Sequence, residues 1–209
     1  MSSYLRDTTL GFGSVITNAG TVTWTGGQFN LDNSQTFYIL PGALFDVQFD
    51  GTLIQNIGGT STFRNEGTYR KSAGSGTNII HIGSFLNQGV VDVVTGVIRF
   101  GNGSVTTSGA GNTFTGTSGT SILFTQTSSF NNTTFSGLGL KIIAAPLAPI
   151  TVTGTIAATN LFHASGTWQG TATLNGVLEW TGGTLSPHLT VAAGSTLRLS
   201  GTGAKTLGG

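Results

Sequence analysis

The side chains of this chain that could do chemistry are few and scattered. Its acids are Asp7, Asp32, Asp46, Asp50, Glu66, Asp92 and Glu179, spread along the 209 residues. Only Asp46 and Asp50 lie close together. In Asp46-Val47-Gln48-Phe49-Asp50 a strand would put Asp46, Gln48 and Asp50 on one face. Three oxygen-bearing side chains in a row suit a calcium ion or a sugar. No Gly-Gly-x-Gly-x-Asp repeat surrounds them, and a solvated outer face opposite Val47 and Phe49 explains the same spacing. His81, His163 and His188 stand at unrelated spacings, none beside a carboxylate in sequence. A metal site or a nucleophile–base pair would need them to converge by folding alone. Cleavage of a glycan on a solenoid calls for paired carboxylates or clustered basic residues on one face, and the acids here are spread across the chain. Arg64, Glu66, Arg70 and Lys71 form one small charged cluster. They could grip an anionic glycan or a partner, but a solvated turn holding an ion pair, worth at most about 1 kcal/mol, is the simpler expectation. The reading is of no catalytic residue, no cofactor and no metal.

The elements that would position these residues announce themselves as a repeat. Thr62-Phe63-Arg64-Asn65-Glu66-Gly67-Thr68-Tyr69 returns 22 residues later as Ser84-Phe85-Leu86-Asn87-Gln88-Gly89-Val90-Val91. Asn18-Ala19-Gly20-Thr21-Val22 is a looser, earlier copy. Periods of about 20 to 50 residues are the mark of solenoids and arrays. No amphipathic helical pattern survives the Gly, Thr and Asn that interrupt every dozen residues or so. Short alternating runs are frequent instead, as in Thr21 to Thr25, Phe45 to Asp50 and Thr196 to Ser200. Hairpin signals are weak, with Asn175-Gly176 the clearest. The fold expected is all-β: a right-handed parallel β-helix of roughly nine coils of about 22 residues, forming a rod about 45 Å long. Residues 1–209 read as one domain, and as a segment of a longer array.

In that fold each residue stacks on its equivalent one coil later. Phe63 should lie on Phe85, Asn65 on Asn87 and Gly67 on Gly89, with the Asn amides hydrogen-bonded along the axis. Trp24-Thr25-Gly26-Gly27 recurs as Trp180-Thr181-Gly182-Gly183. Trp24 and Trp180, with Trp168, could form a sugar-stacking platform, but the shared frame favours packing at a coil corner. Thr-x-Thr pairs at Thr21/Thr23/Thr25, Thr151/Thr153/Thr155 and Thr171/Thr173 could order water and bind ice on a flat face. They are not in consecutive coils, and Thr is simply a good strand residue. Leu138 to Ile150 is almost uncharged and reads as a buried strand with a Pro-bounded turn, or as a patch for a partner.

Composition narrows the class further. Charged residues are 7% of the chain, against about 25% in an ordinary globular protein. Gly occurs 34 times and Thr about as often, while Cys is absent and the net charge is +1. No basic footprint for nucleic acid or an anionic membrane exists, and thiolate metal sites and disulfides are ruled out. No apolar run approaches the ~20 residues of a membrane helix. Met1-Ser2-Ser3-Tyr4-Leu5-Arg6 has no apolar signal core, and no cap is evident at Gly209.

The frame Phe-x-Asn-x-Gly-Thr, followed by Arg70-Lys71-Ser72-Ala73-Gly74-Ser75-Gly76-Thr77, resembles repeats of long bacterial surface and secreted proteins. Gly42-Ala43-Leu44-Phe45 and Gly194-Ser195-Thr196-Leu197-Arg198-Leu199-Ser200-Gly201 are similar to the same repeats. These are the autotransporter passengers and filamentous-haemagglutinin-like adhesins. The resemblance implies a parallel β-helix devoted to display, adhesion or fibre building, and it carries no catalytic residues. The function expected is an extracellular structural module, a stalk or fibre subunit that continues in a longer chain or associates head to tail. The alternatives are a glycan-binding adhesin and, behind it, a polysaccharide-degrading enzyme on the same fold.

Overall fold

The computed structural model describes residues 13–109, 111–186 and 188–208. The segment with Met1 to Arg6 and Asp7, and Gly209, lie outside them. Among the described residues there is no helix, and every strand pairing is parallel. The chain winds as a β-solenoid of about nine turns, roughly 22 residues apart.

Each early coil has three sides. Strands β1 (Val15–Asn18), β2 (Thr21–Trp24) and β3 (Gln28–Asn30) make the first, and β4 (Thr36–Ile39), β5 (Leu44–Val47) and β6 (Thr52–Ile54) lie on them in that order. Above these come β7 (Thr62–Asn65), β8 (Thr68–Lys71) and β9 (Thr77–Asn87). β9 turns a corner without breaking, so its second half stacks on β7. β10 (Val90–Val93), β11 (Val97–Thr107), β12 (Thr113–Gly116), β13 (Ser121–Phe124), β14 (Ser128–Asn131) and β15 (Thr134–Gly137) continue the winding. Next runs β16 (Leu140–Trp180), 41 residues of continuous strand, and then β17 (Gly183–Leu185), β18 (His188–Val191), β19 (Thr196–Leu199) and β20 (Lys205–Leu207).

Alternation decides which residues go inside. β4 Thr-Phe-Tyr-Ile, β7 Thr-Phe-Arg-Asn and β10 Val-Val-Asp-Val each bury the second and fourth residue and face the other two outward. The inward residues form an aromatic spine. Phe37, Phe63 and Phe85 lie face on face, with centroids 5.0 and 5.5 Å apart. Phe45 stacks on Tyr69 at 5.4 Å, and Phe100 on Phe124 at 5.3 Å. Residues from different sides meet edge to face, as Phe45 does with Phe63 at 5.4 Å and Phe85 with Phe100 at 5.0 Å. The spine runs unbroken from Trp24 to Phe135.

Beyond Phe135 the core becomes largely aliphatic and the coils shorten. Thr171 pairs with His188, seventeen residues on, and Val177 with Thr196, nineteen on. The corners explain the change. Gly170 and Gly176 each turn the chain at φ 108°, a region closed to most side chains. A Cβ at Gly170 would sit 2.3 Å from Val152 O, and one at Gly176 2.2 Å from Ala158 O. Single-glycine corners replace the longer loops of the early coils and leave strand β16 uninterrupted. In the run from Leu138 to Ile150, Ile143, Ala145 and Ile150 are buried, whereas Leu138 and Leu147 point to solvent at opposite ends.

Candidate functional site

The Asn frame builds a ladder at the corner between the first and second sides. Asn65 and Asn87 are fully buried partners in adjacent coils. Asn65 Nδ2 donates to Asn87 Oδ1 at 2.7 Å and to Val90 O at 2.9 Å, and Asn87 Nδ2 donates to Gly89 O at 3.1 Å. Both glycines of the frame are needed for the approach. A Cβ at Gly67 would meet Ala43 O at 2.4 Å, and one at Gly89 would meet Gly67 O at 2.2 Å. Asn18 closes the same corner two coils earlier, donating to Leu44 O and accepting from Gly20 N–H. These residues hold coil to coil; they present nothing to a ligand.

The structure keeps Asp46 and Gln48 together and takes Asp50 away from them. Asp46 is only 8% exposed, and Gln48 Nε2 donates to its Oδ2 at 2.8 Å. Along the axis Asp46 pairs with Arg70 and Arg70 with Asp92, and Arg70 Nε donates to Asp92 Oδ2 at 2.9 Å. Asp50 lies past the end of β5, where it accepts from Lys71 Nζ at 2.8 Å and from Gly76 N–H at 3.0 Å. The Lys71 bond holds the Asp50 carboxyl below its usual range.

Lys71 is not the solvated turn residue that its neighbours in sequence suggest. Inward parity buries it completely, and its ammonium reaches Phe49 O and Ala73 O besides Asp50. Arg64 does make the expected ion pair with Glu66, and its guanidinium also lies 4.7 Å from the Tyr38 ring centre. Tyr38 donates to the other Glu66 oxygen, which raises the phenol and lowers the carboxyl. The four charged residues therefore divide among three separate contacts.

The tryptophans pack. Trp24 and Trp180 each end a strand and donate Nε1–H to the carbonyl two residues on, both at 3.1 Å. Trp180 is buried, and Trp24 is half-buried against Phe29, Phe45 and Phe49. Trp168 is buried beside His163, with ring centres 5.3 Å apart. Burial pushes the His163 imidazole down to about 4. Its Nε2 lies 3.3 Å from Thr184 O. Among the described residues no three of His, Asp and Glu come together as a metal site, and no helix is long and apolar enough to cross a membrane.

Two features escape the sequence. One is a shallow, uncharged groove of about 350 Å³ between the corner at Gln55 to Gly59 and a bulge at Asn102-Gly103. The other is a buried ammonium: Lys141 Nζ donates to Gly137 O, Gly139 O and Thr159 O, and burial lowers it to about 8. The string Gly-x-Gly-x-Lys, present at both 137–141 and 201–205, was the available signal. No family model, curated protein or solved structure matches this chain.

Proposed function

We propose that this chain is a non-enzymatic structural module, a stalk or fibre segment displayed outside the cell. It extends by laying coil on coil, through further coils of a longer chain or head to tail with second copies. The aromatic spine carries this reading: one kind of parallel interface, Phe on Phe and strand on strand, is repeated from Trp24 to Phe135. Stability in such a stack is a sum of near-identical interfaces, so length costs nothing in design. A parallel edge is also a template for the next strand. The scarcity of charge and the wealth of Thr, Asn and Gly support an extracellular setting, where a passive surface must stay soluble.

Electron microscopy of the purified chain over a concentration series tests this. Uniform rods that lengthen at constant width as concentration rises are the expected result. Short rods that never lengthen would keep the stalk and remove head-to-tail association. Compact particles, or turnover of a polysaccharide by the pure protein, would overturn the reading.

A further inference from the structure

The chain contains two Asn-Gly pairs, Asn102-Gly103 and Asn175-Gly176, and the fold treats them differently. Asn175-Gly176 lies inside β16, where Gly176 N–H is held by Ser195 Oγ at 3.0 Å. Asn102-Gly103 lies where β11 slips against β9. Phe100 pairs with Ile80, Asn102 with His81 and Ser104 with Ser84, so the register jumps on both sides of Asn102. Gly103 stands at φ 77°. Asn102 is exposed, its side chain makes no hydrogen bond among the described residues, and both residues line the open groove.

The same place holds an imidazole and a guanidinium that has no salt-bridge partner among the described residues. His81 is the stacking partner of Asn102 on the outer face, and a Cβ at Gly101 would lie 2.3 Å from His81 Nε2, so the ring extends along the bulge. Arg99 acts electrostatically on His81 and makes no salt bridge among the described residues. β6, on the other side of β9, contributes no charged residue.

We propose that Asn102 is a site of spontaneous deamidation, and that the carboxylate it yields pairs with His81 and Arg99. The Gly103 backbone nitrogen attacks Asn102 Cγ. The new C–N bond closes a succinimide as the Cγ–Nδ2 bond breaks, and the amide leaves as ammonia with the proton of the attacking N–H. Water from the groove then adds to either ring carbonyl, opening it to aspartate or isoaspartate. The net exchange is ammonia for water, with no change of oxidation state. A regular strand holds the attacking nitrogen away from Cγ; the bulge relaxes that restraint, and glycine presents its nitrogen without a shielding side chain. The product puts a negative charge at the rim of the groove, next to the stretch at Gly101 that both the His81 ring and the Arg99 guanidinium approach.

Incubation of the full chain in warm, mildly alkaline buffer, followed by peptide mapping, tests the modification. Asn102 should convert to a mixture of aspartate and isoaspartate well ahead of Asn175. If Asn102 stays intact, whatever happens at Asn175, the modification is overturned. The pairing is read from His81 by NMR titration. Burial, and then Arg99, lower its pKa in the fresh protein. The value should rise in aged protein and in Asn102→Asp, and should stay put in incubated Asn102→Gln. Conversion at Asn102 with His81 unmoved would overturn the pairing.

Discussion

Lys141 and Lys205 hold their ammonium groups in the same way. Lys141 Nζ donates to Gly137 O at 3.2 Å and Gly139 O at 2.9 Å; Lys205 Nζ donates to Gly201 O at 3.3 Å and Gly203 O at 2.9 Å. In both, the carbonyls belong to residues four and two positions back, and the lysine clamps the corner from which its own strand departs. Lys141 has a third acceptor, Thr159 O, in the following coil. Lys141→Met would take a donor from three carbonyls, leaving Gly137 O only the long bond from Asn160 Nδ2 at 3.4 Å, and unsatisfied buried carbonyls cost about 1–3 kcal/mol. Lys205 is more exposed, so its carbonyls can turn to water. Urea unfolding should therefore show a clear loss for Lys141→Met and a much smaller one for Lys205→Met. Equal losses would mean that the clamp does not stabilise by satisfying buried carbonyls.

The same lysine sets an alkaline pH dependence. Its folded pKa of about 8 lies below the model-peptide 10.5, so the unfolded chain keeps a proton that the folded chain has released. Stability should rise with pH from about 8 towards 10. Burial moves Tyr69 the other way, well above its ordinary 10, and its hydroxyl donates to Asn78 Oδ1 at 2.6 Å. Its contribution is complete below pH 10 and lost above it. A stability maximum near pH 10 follows, and Lys141→Met should flatten the rising limb when urea midpoints are measured from pH 8 to 10.

The acid side belongs to His163. It is neutral in the fold, with a pKa of about 4 against an ordinary 6.5. Between those values the unfolded chain binds more protons, so stability falls as pH drops, by on the order of 3 kcal/mol across the window. His163→Leu should remove this slope from urea midpoints measured between pH 6.5 and 4. A slope that survives the substitution would point to the carboxylates, chiefly Glu66 and Asp50, whose lowered pKa values are lost in the same direction.

The early coils were legible in the sequence because the same types recur at a constant step. Phe63 and Phe85, Asn65 and Asn87, and Gly67 and Gly89 stand in register as the 22-residue offset requires. The later coils were not, because Gly170 and Gly176 turn corners in one residue and the step shrinks, which erases a fixed period. The burial of Lys71 and Lys141 is hidden in the sequence for a different reason. A lysine beside glycines looks like a solvated turn, and only inward parity with a ring of corner carbonyls makes it a buried clamp. Asp46, Gln48 and Asp50 share a face only while the strand lasts. β5 ends at Val47, and Asp50 leaves for Lys71.

The Asn ladder offers the sharpest energetic test. Asn65 Nδ2 serves two acceptors, one in the partner amide and one in the backbone. Asn65→Ala leaves Val90 O and Asn87 Oδ1 without that donor, so the loss should be about 1–3 kcal/mol. Asn87→Ala should also destabilise, since Asn65 Nδ2 loses one of its two acceptors and Gly89 O is left with the Thr113 N–H alone. The two residues touch, so their effects should not add. A double-mutant cycle should give a coupling of about 0.5–3 kcal/mol. Additive losses would mean that each Asn stabilises only its own corner backbone and that no stabilisation passes from coil to coil through the amides. Phe63→Ala paired with Phe85→Ala provides the apolar counterpart. Those stacked rings should each cost about 3–5 kcal/mol when truncated, and their coupling measures how far one coil supports the next.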